Sequence, residues 1–161
     1  MRHALYPISG NPPTFGHADI VARAARLFDR VTWAVAENPA KTYTVPPEAR
    51  LEMLRDYVAH LGLNNVEVAS YTGATVRYAE AIGATAIIKG LRNAADLQAE
   101  MEQAFGNHHM SPGIETVVLF TRPENAAISS SLMRELVSLG ENVDAYVLPS
   151  VAVKLRGFLG K

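Results

Sequence analysis

Residues 4–8 read ALYPI, and residues 9–17 continue as SGNPPTFGH. From Asp19 onward, apolar residues recur at positions 20, 21, 24, 27 and 28, which is the spacing of an amphipathic helix. A short apolar run, a loop rich in glycine and proline, and a helix together form the repeating unit of a parallel α/β sheet. We therefore expect a strand, a ligand-facing loop and a helix in this opening stretch.

The same alternation continues along the chain. Short apolar runs at 31–36, 66–69, 86–88 and 116–120 predict further strands, and helical patterns lie at 46–61, 75–82, 94–105 and 129–139. A last helix is expected from Pro149 onward. The pattern predicts an α/β fold: a single doubly wound, Rossmann-like domain over residues 1–161, with a five-stranded parallel sheet flanked by helices.

Composition excludes several classes of protein. Of the 161 residues 48% are hydrophobic, and 15 basic and 16 acidic residues give a net charge of −1, so neither disorder nor a nucleic-acid or membrane-surface partner is expected. The absence of cysteine excludes thiolate metal sites and a catalytic thiol. No apolar run approaches the ~18 residues of a membrane helix, and the start resembles no signal peptide, so we expect a cytoplasmic protein.

Parallel sheets bind ligands at the carboxyl ends of their strands. The strand-to-helix loops at 9–17, 37–45, 70–74, 89–93 and 122–131 therefore hold the candidate functional residues. The first loop places His17 near the amino end of a helix, where free backbone N–H groups favour an anion. A plain turn with an incidental histidine is the alternative interpretation.

The fourth loop brings two cations next to a glycine. Lys89 and Arg92 flank Gly90 directly after a buried strand, and the alternative is that both are ordinary solvated side chains. Asp96 and Glu100 follow one helical turn apart. They would orient Arg92 or contact ribose hydroxyls, unless they only form an acidic helix face.

The fifth loop carries the run Ser129-Ser130-Ser131, and the second loop carries Lys41. Ser129 suits the N-cap of a helix, and three hydroxyls beside free N–H groups would form a second phosphate site. A helix cap alone is the alternative. Neither GxxxxGK[ST] nor GxGxxG occurs. Cations, hydroxyls and backbone donors at one sheet edge favour phosphoryl or nucleotidyl transfer, in which the protein positions groups and neutralises charge.

Two of these segments resemble the signatures of a known superfamily. TFGH at 14–17 is similar to the (H/T)xGH motif of the nucleotidyltransferases, and ISSSLMR at 128–134 is similar to their ISSTxxR motif. KGLRNAAD at 89–96, followed by Glu100, resembles the RGLRxxxDxxxE segment of the bacterial phosphopantetheine adenylyltransferase family. The resemblance extends over essentially the whole chain.

The resemblance implies a reaction and its partners. ATP and 4′-phosphopantetheine would give dephospho-coenzyme A and pyrophosphate in coenzyme A biosynthesis. The acceptor phosphate would attack the α-phosphorus of ATP in line, with Mg²⁺ on the ATP phosphates and no covalent enzyme intermediate. Members of the family are typically homohexamers that coenzyme A inhibits.

The resemblance also implies roles for individual residues. The catalytic residues would be His17, Lys41 and Arg92. The acceptor substrate would be bound by Ser9, Lys41, Thr75 and Lys89. The residues implied to bind ATP are Ser9, Gly10, His17, Gly90, Leu91, Arg92, Glu100, Asn125, Ala126, Ala127, Ile128, Ser129, Ser130 and Ser131.

The chain departs from the family pattern at several positions. Residues 8–12 read ISGNP where the family usually has Gly-Thr-Phe-Asp-Pro, Lys89 replaces an arginine, and Asn125 stands where an aromatic residue is common. Residues 11–14 lean toward the nicotinate mononucleotide adenylyltransferases. Two alternatives follow: a related nucleotidyltransferase with another acceptor such as nicotinate mononucleotide, or a catalytically impaired protein that binds a nucleotide or coenzyme A.

Overall fold

The computed structural model describes residues 1–160 and confirms the alternation of strands and helices. The strands in this part of the chain are β1 (His3–Ile8), β2 (Arg30–Glu37), β3 (Val66–Thr72), β4 (Ala86–Leu91) and β5 (Glu115–Phe120). The helices are α1 (Phe15–Leu27), α2 (Pro47–Leu61), α3 (Thr75–Ala81), α4 (Ala94–Met110), α5 (Ser130–Ser138) and α6 (Pro149–Leu159), with a 3-10 turn at Pro123–Asn125. None of these helices is both long and apolar enough to cross a membrane.

The five strands form one parallel sheet in the order β3-β2-β1-β4-β5. The strand order reverses beside β1, since the chain moves from β1 to β2 and β3 on one side and to β4 and β5 on the other. β1 pairs with β2 from His3 to Ile8, but with β4 only at Ala4 and Leu5. The carboxyl ends of β1 and β4 therefore separate and leave the crevice in which such sheets bind ligands.

The core lies on both faces of this sheet. The larger side packs α1, α2, α5 and α6 around Trp33, which is fully buried. The smaller side packs α3 against Leu5 and Ile87. Helices cover both faces of the sheet and shield its side chains from water. This explains why the strands are hydrophobic almost without interruption in the sequence.

Several boundaries differ from the sequence-based expectation. α1 begins at Phe15, inside the expected loop 9–17, because the His17 ring accepts the backbone N–H of Thr14 at 3.1 Å and closes the first turn. β3 continues from the expected end at 69 to Thr72, because residues 70–72 of the expected loop pair with β2. β4 includes Lys89, Gly90 and Leu91 of the expected loop 89–93, because they pair with residues 118–120 of β5. α4 continues to Met110, beyond the expected end at 105.

The longer α4 presents apolar side chains to solvent. Leu97, Met101 and Phe105 are 42%, 45% and 67% exposed, and Phe120 at the end of β5 is 73% exposed. Large apolar side chains exposed in this number favour contact with another protein surface.

The amino end of α5 is tied to the first loop. Arg134 donates from Nη1 to the carbonyl oxygen of Asn11 at 2.5 Å and from Nη2 to Ser131 Oγ at 3.3 Å. The Ser130 hydroxyl donates to the carbonyl oxygen of Pro12 at 2.7 Å. These bonds hold two strand-to-helix loops together that are far apart in the chain.

The first loop is also anchored on its other side. Asn11 Oδ1 accepts the backbone N–H of Val45 at 2.9 Å, and Arg50 Nη1 donates to the carbonyl oxygen of Ser9 at 2.8 Å. Arg50 is only 1% exposed and lies 4.2 Å from the ring centre of Tyr43. A buried arginine is retained where it satisfies backbone oxygens and contacts an aromatic face.

Replacing Arg134→Gln tests the tie between α5 and the first loop. We expect the free energy of unfolding to fall by ~1–3 kcal/mol, because the shielded carbonyl oxygen of Asn11 loses its charged donor. Urea unfolding with an unchanged m-value measures the loss. Arg55→Gln is the matched control, since Arg55 is exposed on α2 and its replacement should change stability by less than ~0.5 kcal/mol. Equal losses in the two variants would contradict the role of Arg134.

Candidate active site

A cleft of about 770 Å³ lies at the carboxyl ends of the strands. Every loop that the sequence analysis singled out contributes to its wall. The predicted site residues that line it are Ser9, His17, Lys41, Thr75, Lys89, Gly90, Arg92, Glu100, Asn125, Ile128, Ser129, Ser130 and Ser131. The structure therefore brings most of the candidate residues together.

Four predicted residues do not line the cleft: Gly10, Leu91, Ala126 and Ala127. Gly10 has a φ of +59°, and a Cβ there would lie 3.3 Å from Ile8 Cδ1. Glycine is therefore suited to this turn by conformation and space rather than by contact with a ligand. Leu91 is buried within β4 at 3% exposure.

His17 is the third residue of α1 and is held in one orientation. Its Nδ1 accepts the backbone N–H of Thr14 at 3.1 Å and lies 3.0 Å from the Thr14 hydroxyl. A neutral ring that accepts at Nδ1 carries its proton on Nε2 and so presents a donor. Burial, followed by the positive charge of Arg92, lowers the pKa of His17 to about 4. The ring is therefore a neutral hydrogen-bond donor near pH 7.

Arg92 is held by the first turn of α4. Its Nε lies 3.1 Å from Asp96 Oδ2 and its Nη2 lies 3.3 Å from Asp96 Oδ1. Burial raises the pKa of Asp96, but the hydrogen bonds and charge of Arg92 outweigh it, and the pKa falls below its usual range. Asn93 caps the helix by accepting the Asp96 N–H at 3.0 Å. Of the interpretations left open for Asp96, the structure shows the orienting contact with Arg92.

Lys89 makes two contacts with the next turns of α4. Its Nζ lies 2.8 Å from Glu100 Oε2 and 2.9 Å from Gln103 Oε1. All three side chains line the cleft. The cation is therefore fixed in position and shielded from full solvent exposure.

The three serines of the fifth loop each make a different contact within the protein. Ser129 caps α5 by accepting the Leu132 N–H at 3.1 Å, which confirms the expected N-cap. Ser130 and Ser131 make the contacts to Pro12 and Arg134 described above. The amino ends of α1 and α5 thus meet at one cleft, where their unpaired N–H groups and dipoles favour an anion.

Several residues of the cleft were missed by the sequence analysis. They include Tyr6, Glu37, Tyr43, Tyr71 and Gln103. Gln103 lies three residues after Glu100 on the same helix face, so its spacing was an available signal. Tyr43 lies in the second loop, 37–45, so its position was an available signal. Tyr6 and Tyr71 lie in strands and had no such signal, because strands carry tyrosine for packing as often as for contact with a ligand.

Comparison with known proteins gives a consistent family. Residues 9–136 match the family described as Cytidylyltransferase-like. A phosphopantetheine adenylyltransferase from Synechococcus sp. (strain JA-3-3Ab) is 46% identical over 95% of this chain and 95% of its own length. A phosphopantetheine adenylyltransferase from Streptococcus pneumoniae is 43% identical over 94% of this chain and 93% of its own length.

Solved structures share the fold at low sequence identity. A Vibrio parahaemolyticus protein assigned as a nicotinate-nucleotide adenylyltransferase has a TM-score of 0.75 and 16% identity, covering 100% of this chain and 98% of its own. The nicotinic acid mononucleotide adenylyltransferase of Plasmodium falciparum has a TM-score of 0.72 and 12% identity, covering 98% and 95%. These likenesses show the Rossmann-like nucleotidyltransferase fold. The family model over residues 9–136 and the full-length relatives at 43% and 46% identity establish that this chain belongs to the phosphopantetheine adenylyltransferase family of the nucleotidyltransferases.

Proposed function

We propose that this chain transfers the adenylyl group of ATP to 4′-phosphopantetheine and so produces dephospho-coenzyme A and pyrophosphate. The observation that carries the proposal is the full-length similarity to proteins named phosphopantetheine adenylyltransferase, at 46% identity in one case. The cleft supports it, because cations, hydroxyls and two helix amino ends surround a space large enough for two phosphorylated ligands.

The chemistry needs no covalent enzyme intermediate. An oxygen of the acceptor phosphate bonds to the α-phosphorus of ATP while the bond to the pyrophosphate oxygen breaks. Ser9 and Lys41 bind the acceptor phosphate, and Lys89 and the Thr75 backbone bind the acceptor from the other side. The Nε2–H of His17 donates to the α-phosphoryl group as charge develops there, which is the kind of preorganised donor that accelerates such reactions.

Arg92 and the fifth loop hold the nucleotide. Arg92 neutralises charge on the transferring group. Asp96 fixes the orientation of the guanidinium plane, because Asp96 Oδ2 lies 3.1 Å from Arg92 Nε. Asn125, Ile128 and the three serines surround the ATP, and Glu100 accepts from its ribose. Ser9 also contacts the nucleotide. Gly10, Leu91, Ala126 and Ala127 do not line the cleft, so their part in ATP binding is to shape the segments that carry the residues in contact with the nucleotide.

Magnesium belongs to the nucleotide rather than to a resident metal site. Among residues 1–160, no group of three histidine, aspartate or glutamate side chains is arranged to hold a metal ion. Two of the cleft carboxylates, Asp96 and Glu100, are engaged by cations. We expect Mg²⁺ to arrive as Mg·ATP, in which it would neutralise charge on the phosphates.

Residues 1–161 act as one nucleotidyltransferase domain and assemble as a homohexamer in the cytoplasm. The exposed apolar side chains of α4 and Phe120 support self-association, because contact with other copies would remove them from water. Coenzyme A, which contains the product, competes for the same cleft as a feedback inhibitor. The net charge of −1 gives no reason to expect nucleic acid or a membrane surface as partner.

A second candidate is adenylyl transfer to nicotinate mononucleotide. It is favoured by the first loop, where Asn11-Pro12-Pro13-Thr14 departs from the phosphopantetheine pattern. The structural neighbours of 16% and 12% identity share only the fold and do not decide between the acceptors.

Pyrophosphate release from Mg·ATP distinguishes the candidates. We expect release with 4′-phosphopantetheine and no release above background with nicotinate mononucleotide, because the chain's full-length relatives carry the former activity in their names. A coupled assay of pyrophosphate measures both reactions on one enzyme preparation. Release only with nicotinate mononucleotide would reject the proposed acceptor. No release with either, together with ATP or coenzyme A binding in calorimetry, would identify a binding protein without this activity.

His17→Ala tests the proposed donor. We expect kcat to fall by ~10²–10³-fold, as happens when one donor to a developing negative charge is removed. The change is measured at saturating ATP and acceptor, with circular dichroism to check the fold. Unchanged turnover, or loss of the folded structure, would remove the support for a catalytic role.

Lys89→Ala tests the acceptor site. We expect the KM for 4′-phosphopantetheine to rise ~10-fold or more, because a charge-assisted hydrogen bond to phosphate is lost, while the KM for ATP changes much less. Initial rates with each substrate varied in turn separate the two constants. Lys154→Ala is the control, since Lys154 pairs with Asp56 at 3.0 Å outside the cleft. A rise in the KM for ATP alone would contradict the assignment of Lys89.

A further inference from the structure

Tyr6 stands at the base of the cleft in a fixed position. The residue is only 3% exposed, and its ring stacks on Trp33 with 6.1 Å between ring centres and an angle of 15° between the planes. Trp33 in turn packs against Tyr57 at 6.1 Å. The aromatic neighbours leave the Tyr6 ring little freedom, so the direction of its hydroxyl is set by the core.

The Tyr6 hydroxyl faces the cleft without a partner in the protein. Tyr6 lines the cleft, and no group of residues 1–160 forms a hydrogen bond with its hydroxyl. A Cβ placed on Gly90 would lie 3.9 Å from the Tyr6 oxygen and 3.1 Å from Ile20 Cγ1, so the hydroxyl lies beside Gly90. The hydroxyl oxygen is not among the fully shielded unpaired polar atoms of residues 1–160, so it reaches the open space of the cleft, where a ligand can accept its hydrogen bond.

Several other polar side chains of the cleft are already engaged. Lys89 contacts Glu100 and Gln103, Arg92 contacts Asp96, and the Tyr71 hydroxyl lies 2.7 Å from Thr75 Oγ1. Burial, and then the carboxylates of Asp19 and Glu100, raise the pKa of Tyr6. The phenol therefore stays protonated and offers one preorganised donor.

The position of Tyr6 favours the nucleotide over the acceptor. Its side chain packs on the sheet face that α1 and α5 cover, in the cluster that includes Ile20 and Met133. The same helices bring His17 and the three serines to the cleft. Lys89, proposed to bind the acceptor, instead contacts α4 through Glu100 and Gln103.

We propose that Tyr6 is a nucleotide-binding residue whose hydroxyl donates a hydrogen bond to a ribose or α-phosphoryl oxygen of ATP. The inference rests on the proposed function, because it takes ATP to be the ligand of this half of the cleft. No motif of the sequence pointed to Tyr6. The donor acts on ATP in the ground state, so its loss weakens ATP binding directly.

Tyr6→Phe is the test, because it removes the hydroxyl and keeps the ring on Trp33. We expect the Kd for Mg·ATP, measured by calorimetry without acceptor, to rise ~3–10-fold, the range of one hydrogen bond. The KM for 4′-phosphopantetheine should change less than ~2-fold, since that substrate makes no contact with the removed group.

Tyr57→Phe is the matched control. Tyr57 packs on the same Trp33, but its hydroxyl accepts the Leu148 N–H at 3.2 Å and donates to the Pro13 carbonyl oxygen at 3.5 Å, and neither partner lines the cleft. This variant should lower Tm and leave the Kd for Mg·ATP unchanged. If both variants weaken ATP binding equally, the cause is packing and the inference about Tyr6 is overturned.

The remaining outcomes separate the two proposals. An unchanged Kd in Tyr6→Phe, with normal turnover by the unmodified protein, overturns the role of Tyr6 and leaves the proposed function standing. A raised KM for the acceptor with unchanged ATP affinity overturns it as well. If the unmodified protein binds Mg·ATP but releases no pyrophosphate, the proposed function fails, while a weaker Kd in Tyr6→Phe still supports the nucleotide contact.

Discussion

The arrangement of the cleft depends on the anchoring of Asn11 from two sides. Its side-chain oxygen accepts the backbone N–H of Val45, and its carbonyl oxygen accepts from Arg134. The first bond connects the loop to the segment that leads into α2, and the second connects it to α5. Since His17 follows on the same loop, Asn11, together with the bond from Ser130 to Pro12, sets the positions of both helix amino ends relative to each other.

The charges of the cleft are organised before any ligand arrives. Arg92 and Lys89 each have an acidic partner on α4, and the partners follow within three turns of the same helix. Ligand binding to such pairs costs little conformational entropy, because the side chains are already ordered. They also limit non-productive binding of small anions, since part of each positive charge is already compensated. A substrate with several phosphates can compete with these carboxylates, whereas a lone anion gains much less.

Much of the fold could be predicted from local patterns. The helices α2, α3 and α5 end next to glycines, as the sequence pattern predicted. These glycines, Gly62, Gly83 and Gly140, all have positive φ values that suit such ends. The site edge followed from the rule for parallel sheets. His17 lies near the amino end of α1 as expected, but the helix begins inside the expected loop 9–17, because Thr14 is the N-cap.

The contacts that fix the site could not be predicted in the same way. The pairs Arg134–Asn11 and Arg50–Ser9 join residues 123 and 41 positions apart in the chain. The periodicity of a helix or strand predicts contacts only between residues a few positions apart. The free hydroxyl of Tyr6 was equally invisible, because a tyrosine within an apolar strand has the same local signature whether its oxygen faces the core or a cleft. Only the tertiary arrangement separates these cases.

The neutral state of His17 has a consequence for the end of the catalytic cycle. A permanently charged side chain at the amino end of α1 would attract pyrophosphate as strongly as it stabilises the transferring group. The neutral His17 ring, aligned by Thr14, would still donate a hydrogen bond to the phosphoryl oxygen as negative charge develops there. It would add no net positive charge that holds the departing pyrophosphate. In the proposed reaction, a pKa of about 4 for this histidine would therefore favour rapid product departure as well as the chemical step.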